Sequence, residues 1–581
     1  LVGGLVPSNP LFHAEVVGGF NLAAGLLALY AAPAALLWRW TRRASIQAVP
    51  QLAEVLRAVS ITLFTLFVAF QIRNGFQGSG FQGNPIGLFE CVAYAIAWLT
   101  LGGFMQQLNQ RRLQSPVTRV AGQLIFAIGL ITTVVGGVFV FNPLFDTDAV
   151  GGWGLAARML VLYALPAVLL WAWSRGKTFA DQPIMAGTLR GTALTLIALF
   201  VGLQIRNGFQ SDSLQTQGVS FYECIAYMVA AMLLGGFIQM LNDRYLKDTV
   251  TGVAGQIIFA IGFATTLIGS VIVFNPVVDQ TAEGGWGLIP RLAALYILPA
   301  ALMWLWSRGK TLRDQAELTS GLRGSSIVYI TFFVGLLIRN AFHASDLHAL
   351  QITMFECATY GLAWVCLGFA FHFIAPRCTL PGTTGHVGRS ILGIGLLTLL
   401  VGNVLVLNPL WLRESVGMMP ILNGLWYLYG PLILILVLLA RKARRDQRPV
   451  PAKLTGFMAV GLSFMLLSML VRQGFSGDGL VVIKSGLADA ERYAYSLAWV
   501  LFGAALLVAG VFTRLDTLRY GSLAVLLLAV GKVFLIDTAN LENLYRVFSF
   551  FGLGVTLIAL GYLYQRLVFK RPGITDKAQT T

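Results

Sequence analysis

The chain has 581 residues, 41 Lys and Arg against 25 Asp and Glu, and a formal charge of +16. Hydrophobic residues make up 57% and charged residues 11%, and the mean hydropathy is +0.74. A soluble domain carries about 25% charged residues, so a soluble enzyme is excluded, and the wealth of Leu, Ile, Val and Phe excludes a disordered chain.

A repeat sets the frame for every element. Gln71-Ile72-Arg73-Asn74-Gly75-Phe76 recurs at Gln204 to Phe209, then altered at Leu337 to Phe342 and Leu470 to Phe475. The four arginines are 133 residues apart. So are Asn9-Pro10, Asn142-Pro143, Asn275-Pro276 and Asn408-Pro409, and Tyr30, Tyr163, Tyr296 and Tyr429. Self-similarity at a fixed step is the signature of a repeat architecture.

In chain order, residues 1–8 are expected to be the stub of a preceding membrane helix, because Gly3-Gly4 lies 133 residues before Gly136-Gly137. Repeat one (9–141) holds apolar runs near 20–38, 56–72, 88–106 and 119–141. Repeat two (142–274) holds 153–173, 190–205, 221–240 and 252–274. Repeat three (275–407) holds 286–306, 323–338, 355–374 and 389–407. Repeat four (408–536) holds 421–440, 454–471, 492–513 and 519–536. A capping helix (537–571) contains the run 547–569, and 572–581 is a tail. A bilayer core needs about 20 apolar residues per helix, so 17 membrane helices are expected. The second run of each repeat is short and ends at the Arg-Asn pair, which predicts that its end lies in a protein-lined recess.

The expected fold is therefore all-α and polytopic, with four tandem parallel repeats of four transmembrane helices and a terminal helix. Four helices per unit return the chain to the same side, so the repeats share one orientation and form an arc or a pseudo-ring. Lys and Arg gather in loops after the first and third helices, as in Arg39/Arg42/Arg43, Arg111/Arg112, Arg175/Lys177, Arg308/Lys310/Arg313 and Arg441 to Lys453. That side is expected to be cytoplasmic, with the C-terminus carrying Lys570 and Arg571 beside it. The positive charge is then topological, and nucleic acid is not an expected partner, because no aromatic-basic groove motif accompanies it.

On the opposite side each unit presents an Arg (73, 206, 339, 472), a Glu (90, 223, 356, 491) and a Tyr four residues after the Glu (94, 227, 360, 495). Glu and Tyr at i and i+4 share a helix face. Arg73, Glu90 and Tyr94 with Arg206, Glu223, Tyr227, Arg339, Glu356, Tyr360, Arg472, Glu491 and Tyr495 form either structural ion pairs or the lining of an extracytoplasmic-facing cleft. Departures from the repeat point more directly to function. Arg158 and Arg291 stand where repeats one and four have Gly25 and Gly424, and Trp153 and Trp286 stand where repeat one has Phe20. An Arg beside a Trp near a helix end holds a lipid headgroup or sugar, or snorkels beside an aromatic belt. Lys532 lies in an apolar helix shortly before Asp537. A membrane-embedded Lys is a functional candidate, and a Lys532–Asp537 or Lys532–Glu pair that clips the terminal helices is the structural alternative. The candidate binding cleft is thus Arg158, Arg291, Trp153, Trp286, Lys532 and Asp537.

Cys91, Cys224 and Cys357 follow the repeated glutamates and are read as small packing residues, since the other ligands of a zinc site are missing. His13, His343, His348, His372 and His386 show no metal-binding pattern, and His372 replaces Gln106 and Gln239 of the earlier repeats. Nothing matches a phosphate-binding loop, a dinucleotide fingerprint or a nucleophile elbow. No catalytic residue, cofactor or metal is expected.

The stretches Gly531 to Asp537, Leu544 to Phe550 and Gly561 to Arg566, together with Arg472 and Glu491-x-x-x-Tyr495-Ser496-x-x-Trp499, resemble a bacterial family of large inner-membrane proteins known as domain of unknown function 2339. The resemblance implies a multi-pass protein of the bacterial inner (cytoplasmic) membrane, with a further N-terminal cytoplasmic segment, and marks Lys532, Asp537, Arg546, Arg472 and Glu491 as family positions. Transporter-like or channel-like handling of a polar or anionic solute, glycan or lipid is the leading expectation. A membrane scaffold of an envelope complex and an intramembrane enzyme acting on an envelope lipid or glycan are the alternatives. The expected partners are the lipid bilayer, a lipid or glycan ligand and envelope proteins.

Overall fold

The computed structural model describes residues 19–77, 84–145, 151–179, 182–210, 214–215, 218–279, 282–308, 316–377, 382–412, 414–417, 419, 422–476, 489–537 and 544–567. The expected stub and tail, and Asn9, Pro10, His13, Gly18, Lys310, Arg313, Lys570 and Arg571, lie outside the described residues, as do the side chains of Asp537 and Arg546.

The protein is an all-helical multi-pass membrane protein, and the described residues contain no strand. Fifteen helices among them are long and apolar enough to cross a bilayer. They are α1 (Phe20–Trp40), α2 (Pro50–Phe76), α3 (Leu88–Leu113), α4 (Pro116–Val140), α5 (Trp153–Arg175), α6 (Pro183–Phe209), α7 (Phe221–Leu246) and α8 (Thr249–Val273). There follow α9 (Leu288–Arg308), α10 (Ala316–Phe342), α11 (Met354–His372), α12 (Gly385–Val406), α13 (Gly424–Arg445), α14 (Pro449–Ser476) and α15 (Ala490–Thr513). Two further helices follow that are not among these fifteen: α16 (Asp516–Lys532, continued by Val533–Asp537) and α17 (Leu544–Leu567).

The chain forms two compact units, Leu1–Asp279 with Ala301–Ala316 and Gln280–Ala300 with Glu317–Thr581.

Local chemistry sets the helix ends. Pro50, Pro116 and Pro183 occupy the first turn, where a missing N–H costs nothing. Ser115 and Asp248 cap α4 and α8 by accepting from the N–H of Thr118 and Thr251. Ser220 and Glu223 form a reciprocal capping box on α7.

The expected short second helix is not what forms. α2, α6 and α10 are 27 residues long and α14 is 28. Each runs on past its Arg-Asn or Arg-Gln pair, because those polar side chains find partners in the neighbouring segments and so do not end the helix.

Wide, under-wound turns recur at set places. They span Leu27–Ala31, Leu160–Ala164 and Ala293–Ile297, just ahead of Pro33, Pro166 and Pro299. They also close α4 (Val135–Val140), α8 (Ile268–Val273) and α12 (Thr398–Val406). A proline removes a backbone donor, and a locally widened turn is one way a helix absorbs the loss. The wide turns at the ends of α4 and α12 also offer carbonyls. The fully buried Tyr163 donates its hydroxyl to Gly137 O at 2.7 Å, and Tyr429 donates to Asn403 O at 3.1 Å.

Adjacent antiparallel helices approach closely where glycine removes the side chain. A Cβ on Gly102 of α3 would sit 2.5 Å from Phe126 N of α4, and one on Gly235 of α7 would sit 2.5 Å from Phe259 N of α8. Without a hydrophobic drive between helices in lipid, such close packing supplies the attraction.

Candidate functional site

The repeated motif resolves into separate jobs for each residue. Asn74, at the end of α2, brackets Gly19: its Oδ1 accepts from Gly19 N at 2.7 Å and its Nδ2 donates to Gly19 O at 3.2 Å. Asn207 does the same to Gly152, at 2.7 and 3.2 Å, and Asn340 to Gly285, at 2.6 and 3.1 Å. In the fourth set Gln473 donates to Gly417 O at 3.0 Å. The four glycines have φ between 101 and 133°, a left-handed conformation that favours glycine. Gln71 and Gln204 donate to Ala23 O and Ala156 O, in the first turn of α1 and α5.

The adjacent arginine faces the next helix. Arg206 Nη1 donates to both oxygens of Glu223, at 2.9 and 3.1 Å, and its Nε donates to Leu214 O at 2.9 Å. Glu223 is fully buried, and three further groups serve it. Gln210 Nε2 donates to its Oε2 at 3.2 Å, Ser220 N to Oε2 at 3.3 Å as half of the capping box on α7, and Tyr227 Oη to Oε1 at 3.2 Å. A buried carboxylate is tolerable only when paired and hydrogen-bonded in this way.

The same arrangement surrounds the other three glutamates, with local edits. Arg73 Nη1 lies 3.0 and 3.2 Å from the Glu90 oxygens, and Gln77 Nε2 donates to Oε2 at 2.9 Å. Tyr94 differs from Tyr227 in donating to Ala69 O, at 3.2 Å. Arg339 lies 3.0 and 3.3 Å from Glu356, Tyr360 donates to Oε1 at 3.1 Å, and His343 Nε2 approaches Oε2 at 2.8 Å. Arg472 and Glu491, both buried, are 2.7 and 2.9 Å apart. The structure thus brings each Arg–Glu pair together. It also adds residues whose duty sequence reasoning missed: Gln77, Gln210 and His343, 133 apart and one position beyond the motif's last Phe. Ser476 stands there in the fourth set and donates instead to Arg472 O at 2.7 Å.

Carboxylates saturated with donors are poor bases and poor nucleophiles. The chemistry available here is cross-linking: each second helix is tied to the first helix through Asn or Gln and to the third through Arg.

The departures from the repeat sit elsewhere. Arg158 and Trp153 in the first unit are exposed, Trp153 at 94%. In the second unit Arg291 and Trp286 are likewise exposed, Trp286 at 89%. Lys532 Nζ donates to Arg492 O at 2.8 Å and to Ser496 Oγ at 2.7 Å, which ties α16 to the start of α15. Cys91, Cys224 and Cys357 face glycines of the fourth helix in their sets. A Cβ on Gly136, Gly269 or Gly402 would come within 2.7, 2.8 or 2.4 Å of the respective sulfur. Among the described residues no group of three or more His, Cys, Asp or Glu is placed to hold a metal ion.

At the other end of the helices, Arg190 of α6 pairs with Asp248, with Nη1 3.1 Å from Oδ1. Asp248 lies between α7 and α8. Burial pushes its carboxyl pKa up, but the hydroxyl and N–H of Thr251 and the Arg190 guanidinium outweigh this and hold it below the usual range.

A cavity of about 1040 Å³ opens between α6, α7 and α8. Its lining is largely hydrocarbon, with Arg206 and Tyr227 among the few polar side chains.

The family model described as "Predicted membrane protein (DUF2339)" matches residues 3–247, 177–380 and 383–567. No curated protein and no solved structure matches the chain.

Proposed function

The chain belongs to the DUF2339 family of predicted membrane proteins, and on that premise we propose that it acts as a rigid membrane scaffold for an envelope complex. The observation that carries this reading is the closed Arg–Glu staple in all four sets. A catalytic centre is not needed four times, and a binding cleft needs donors left over for its ligand. Here the carboxylates are consumed within the protein, in hairpins that glycine contacts hold close. On this reading the protein lies in the bacterial inner membrane. The Arg–Glu ends face away from the cytoplasm, and the basic loops and the C-terminus lie in it.

Transporter-like or channel-like handling of an anionic solute, glycan or lipid is a second reading. Its support is the exposed Arg158–Trp153 and Arg291–Trp286 sets at the start of α5 and α9. The two readings part in one experiment. The full chain, purified from native membranes in mild detergent, is tested for stoichiometric partners and, in proteoliposomes, for flux of labelled anionic solutes. The scaffold reading expects partners retained in an Arg158→Ala/Arg291→Ala variant and flux no greater than in empty liposomes. Flux that the double variant abolishes overturns it in favour of transport.

A further inference from the structure

Residues 441–453 join α13 to α14 and carry six Lys and Arg against one acid, Asp446. One of the six belongs to the repeat, since Arg42, Arg175, Arg308 and Arg441 keep the step of 133. The other five stand where the second and third sets have no cation. Arg444 and Arg445 lie 266 residues after Thr178 and Phe179. In the second set those two residues dock on the first set. Gln110 donates to Thr178 O at 2.7 Å, and the fully buried Phe179 ring lies 5.2 Å from Phe126. In the fourth set the helix instead runs on to Arg445, whereas its counterparts α5 and α9 end at Arg175 and Arg308, the equivalents of Arg441. An extra turn of helix thus carries cations where the second set has a docking contact.

These cations sit on an ordered turn. Gln447, at φ 56°, takes the left-handed conformation just past α13. The N–H groups of Asp446, Gln447 and Arg448 return to the carbonyls of Lys442, Arg444 and Ala443, at 2.9, 3.1 and 2.8 Å. That closes the helix end, and Pro449 begins α14. Arg441, Arg445, Arg448 and Lys453 are exposed, as is Asp446. Among the described residues none of the four cations makes a side-chain hydrogen bond or an ion pair. Leu434, Leu438, Arg441 and Arg445 follow at i, i+4, i+7 and i+11, so they share one face of α13, and both leucines are exposed. On α14 Lys453 is followed by the exposed Leu454 and Phe457.

We propose that this turn binds the phosphate headgroups of anionic phospholipids, in the leaflet at that end of α13 and α14. The exposed leucines of a membrane helix lie against acyl chains. From Leu438 to Arg445 is about 10 Å of helix, and the headgroup region on one side of a bilayer is about 5–8 Å deep. The leucines therefore set Arg441 and Arg445 at phosphate level. Several cations directly outside a membrane helix complement an anionic surface, and a guanidinium pairs with two phosphate oxygens at once. Orienting a chain in the membrane needs only a bias of positive charge, which Arg441 and its counterparts supply in every set. The five further cations exceed that need. An acidic protein would match the charge alone, whereas a phospholipid matches both the cations and the leucines that share their face. The proposal is independent of the scaffold reading, because a scaffold and a transporter can each hold such lipids.

The test uses the full chain in phosphatidylcholine nanodiscs that hold a minor share of phosphatidylglycerol. Probes of each lipid carry a photoactivatable diazirine near the ester of one acyl chain, and labelled peptides are mapped by mass spectrometry. The ratio of phosphatidylglycerol to phosphatidylcholine labelling at the α13–α14 turn is expected to be about fivefold or more above that at the α5–α6 turn of the same molecule, since one cation near an anionic surface is worth about fivefold in affinity. Combined Arg444→Gln, Arg445→Gln, Arg448→Gln and Lys453→Gln substitutions should lower it to the α5–α6 value and leave the α5–α6 ratio unchanged. Salt at about 1 M, where the screening length is about 3 Å, should do the same to the unaltered chain, and serves if the variant misfolds. Equal ratios at the two turns, or a ratio at α13–α14 that either treatment leaves unchanged in the folded protein, overturns the proposal. So does an acidic protein that crosslinks to the turn in native membranes in place of lipid label.

Discussion

Asn207 grips Gly152 by both of its backbone groups, accepting from its N–H at 2.7 Å and donating to its carbonyl at 3.2 Å. The glycine sits at φ 126° just ahead of α5, so the side chain fixes a conformation that only glycine adopts without strain. Two substitutions separate the parts of this clamp. Asn207→Ala removes both bonds and should cost about 1–2 kcal/mol. Gly152→Ala keeps the amide but forces a Cβ into the left-handed region, for about 1–2 kcal/mol. Thermal unfolding in detergent checks both, and the double variant should cost less than the sum, because a strained turn no longer offers the clamp its target.

The Arg206–Glu223 pair should behave as a buried ion pair. Glu223→Ala leaves the Arg206 guanidinium, about 10% exposed, without its counter-ion, and a loss of about 3–5 kcal/mol is expected. Replacing both residues with apolar ones of similar size, Arg206→Met with Glu223→Leu, should recover most of it, because two desolvation penalties vanish together. A double-mutant cycle on unfolding free energy measures the coupling. Single-variant losses that simply add in the double variant would show that the two residues are not coupled.

These pairs were legible in the sequence because charge is scarce in the helices: an Arg that keeps a step of 133, and a Glu that keeps it in three sets and shifts by two residues in the fourth, point to each other in an apolar background. The duties of Asn74, Asn207 and Asn340 were not legible, because their partners are backbone atoms of glycines 55 residues earlier. Gln77, Gln210 and His343 lay one residue past the motif and carried no charge pattern to mark them. The second helices run longer than their apolar runs because polar residues at a helix end still join it when neighbouring segments satisfy them.

The α7–α8 contact at Gly235 should be intolerant of any side chain. A Cβ there would sit 2.5 Å from Phe259 N and 2.8 Å from Gly255 O, both backbone atoms that cannot swing aside. Gly235→Ala should therefore push the helices apart and cost about 1–3 kcal/mol through overpacking. Gly202→Ala on α6, with nothing within 4 Å of the added atom, should be neutral or slightly stabilising, since alanine is the better helix former. The difference in midpoint temperature between the two variants reads out whether close backbone approach holds these helices together.

Asp248 ties the two ends of an inter-helix turn and gives a pH dependence with a definite sign. It caps α8 through Thr251 and pairs with Arg190, and its carboxyl pKa is held below the usual range. A carboxylate depressed in the folded state binds its proton less readily there than in the unfolded chain. Its stabilisation is then complete above the unfolded value, about 3.9, and is lost as pH falls through the lower folded value. Asp248→Asn keeps a good cap but drops the charge, so it should be less stable than the parent at pH 7, by about 1 kcal/mol for a partly exposed pair. That gap should close as pH falls below about 4. Asp248→Ala loses the cap as well and should fall about a further 1 kcal/mol at every pH. Unfolding midpoints of the three proteins between pH 3 and pH 7 separate the charge from the cap, and a gap between parent and Asp248→Asn that stays constant with pH would rule out the ion pair as its source.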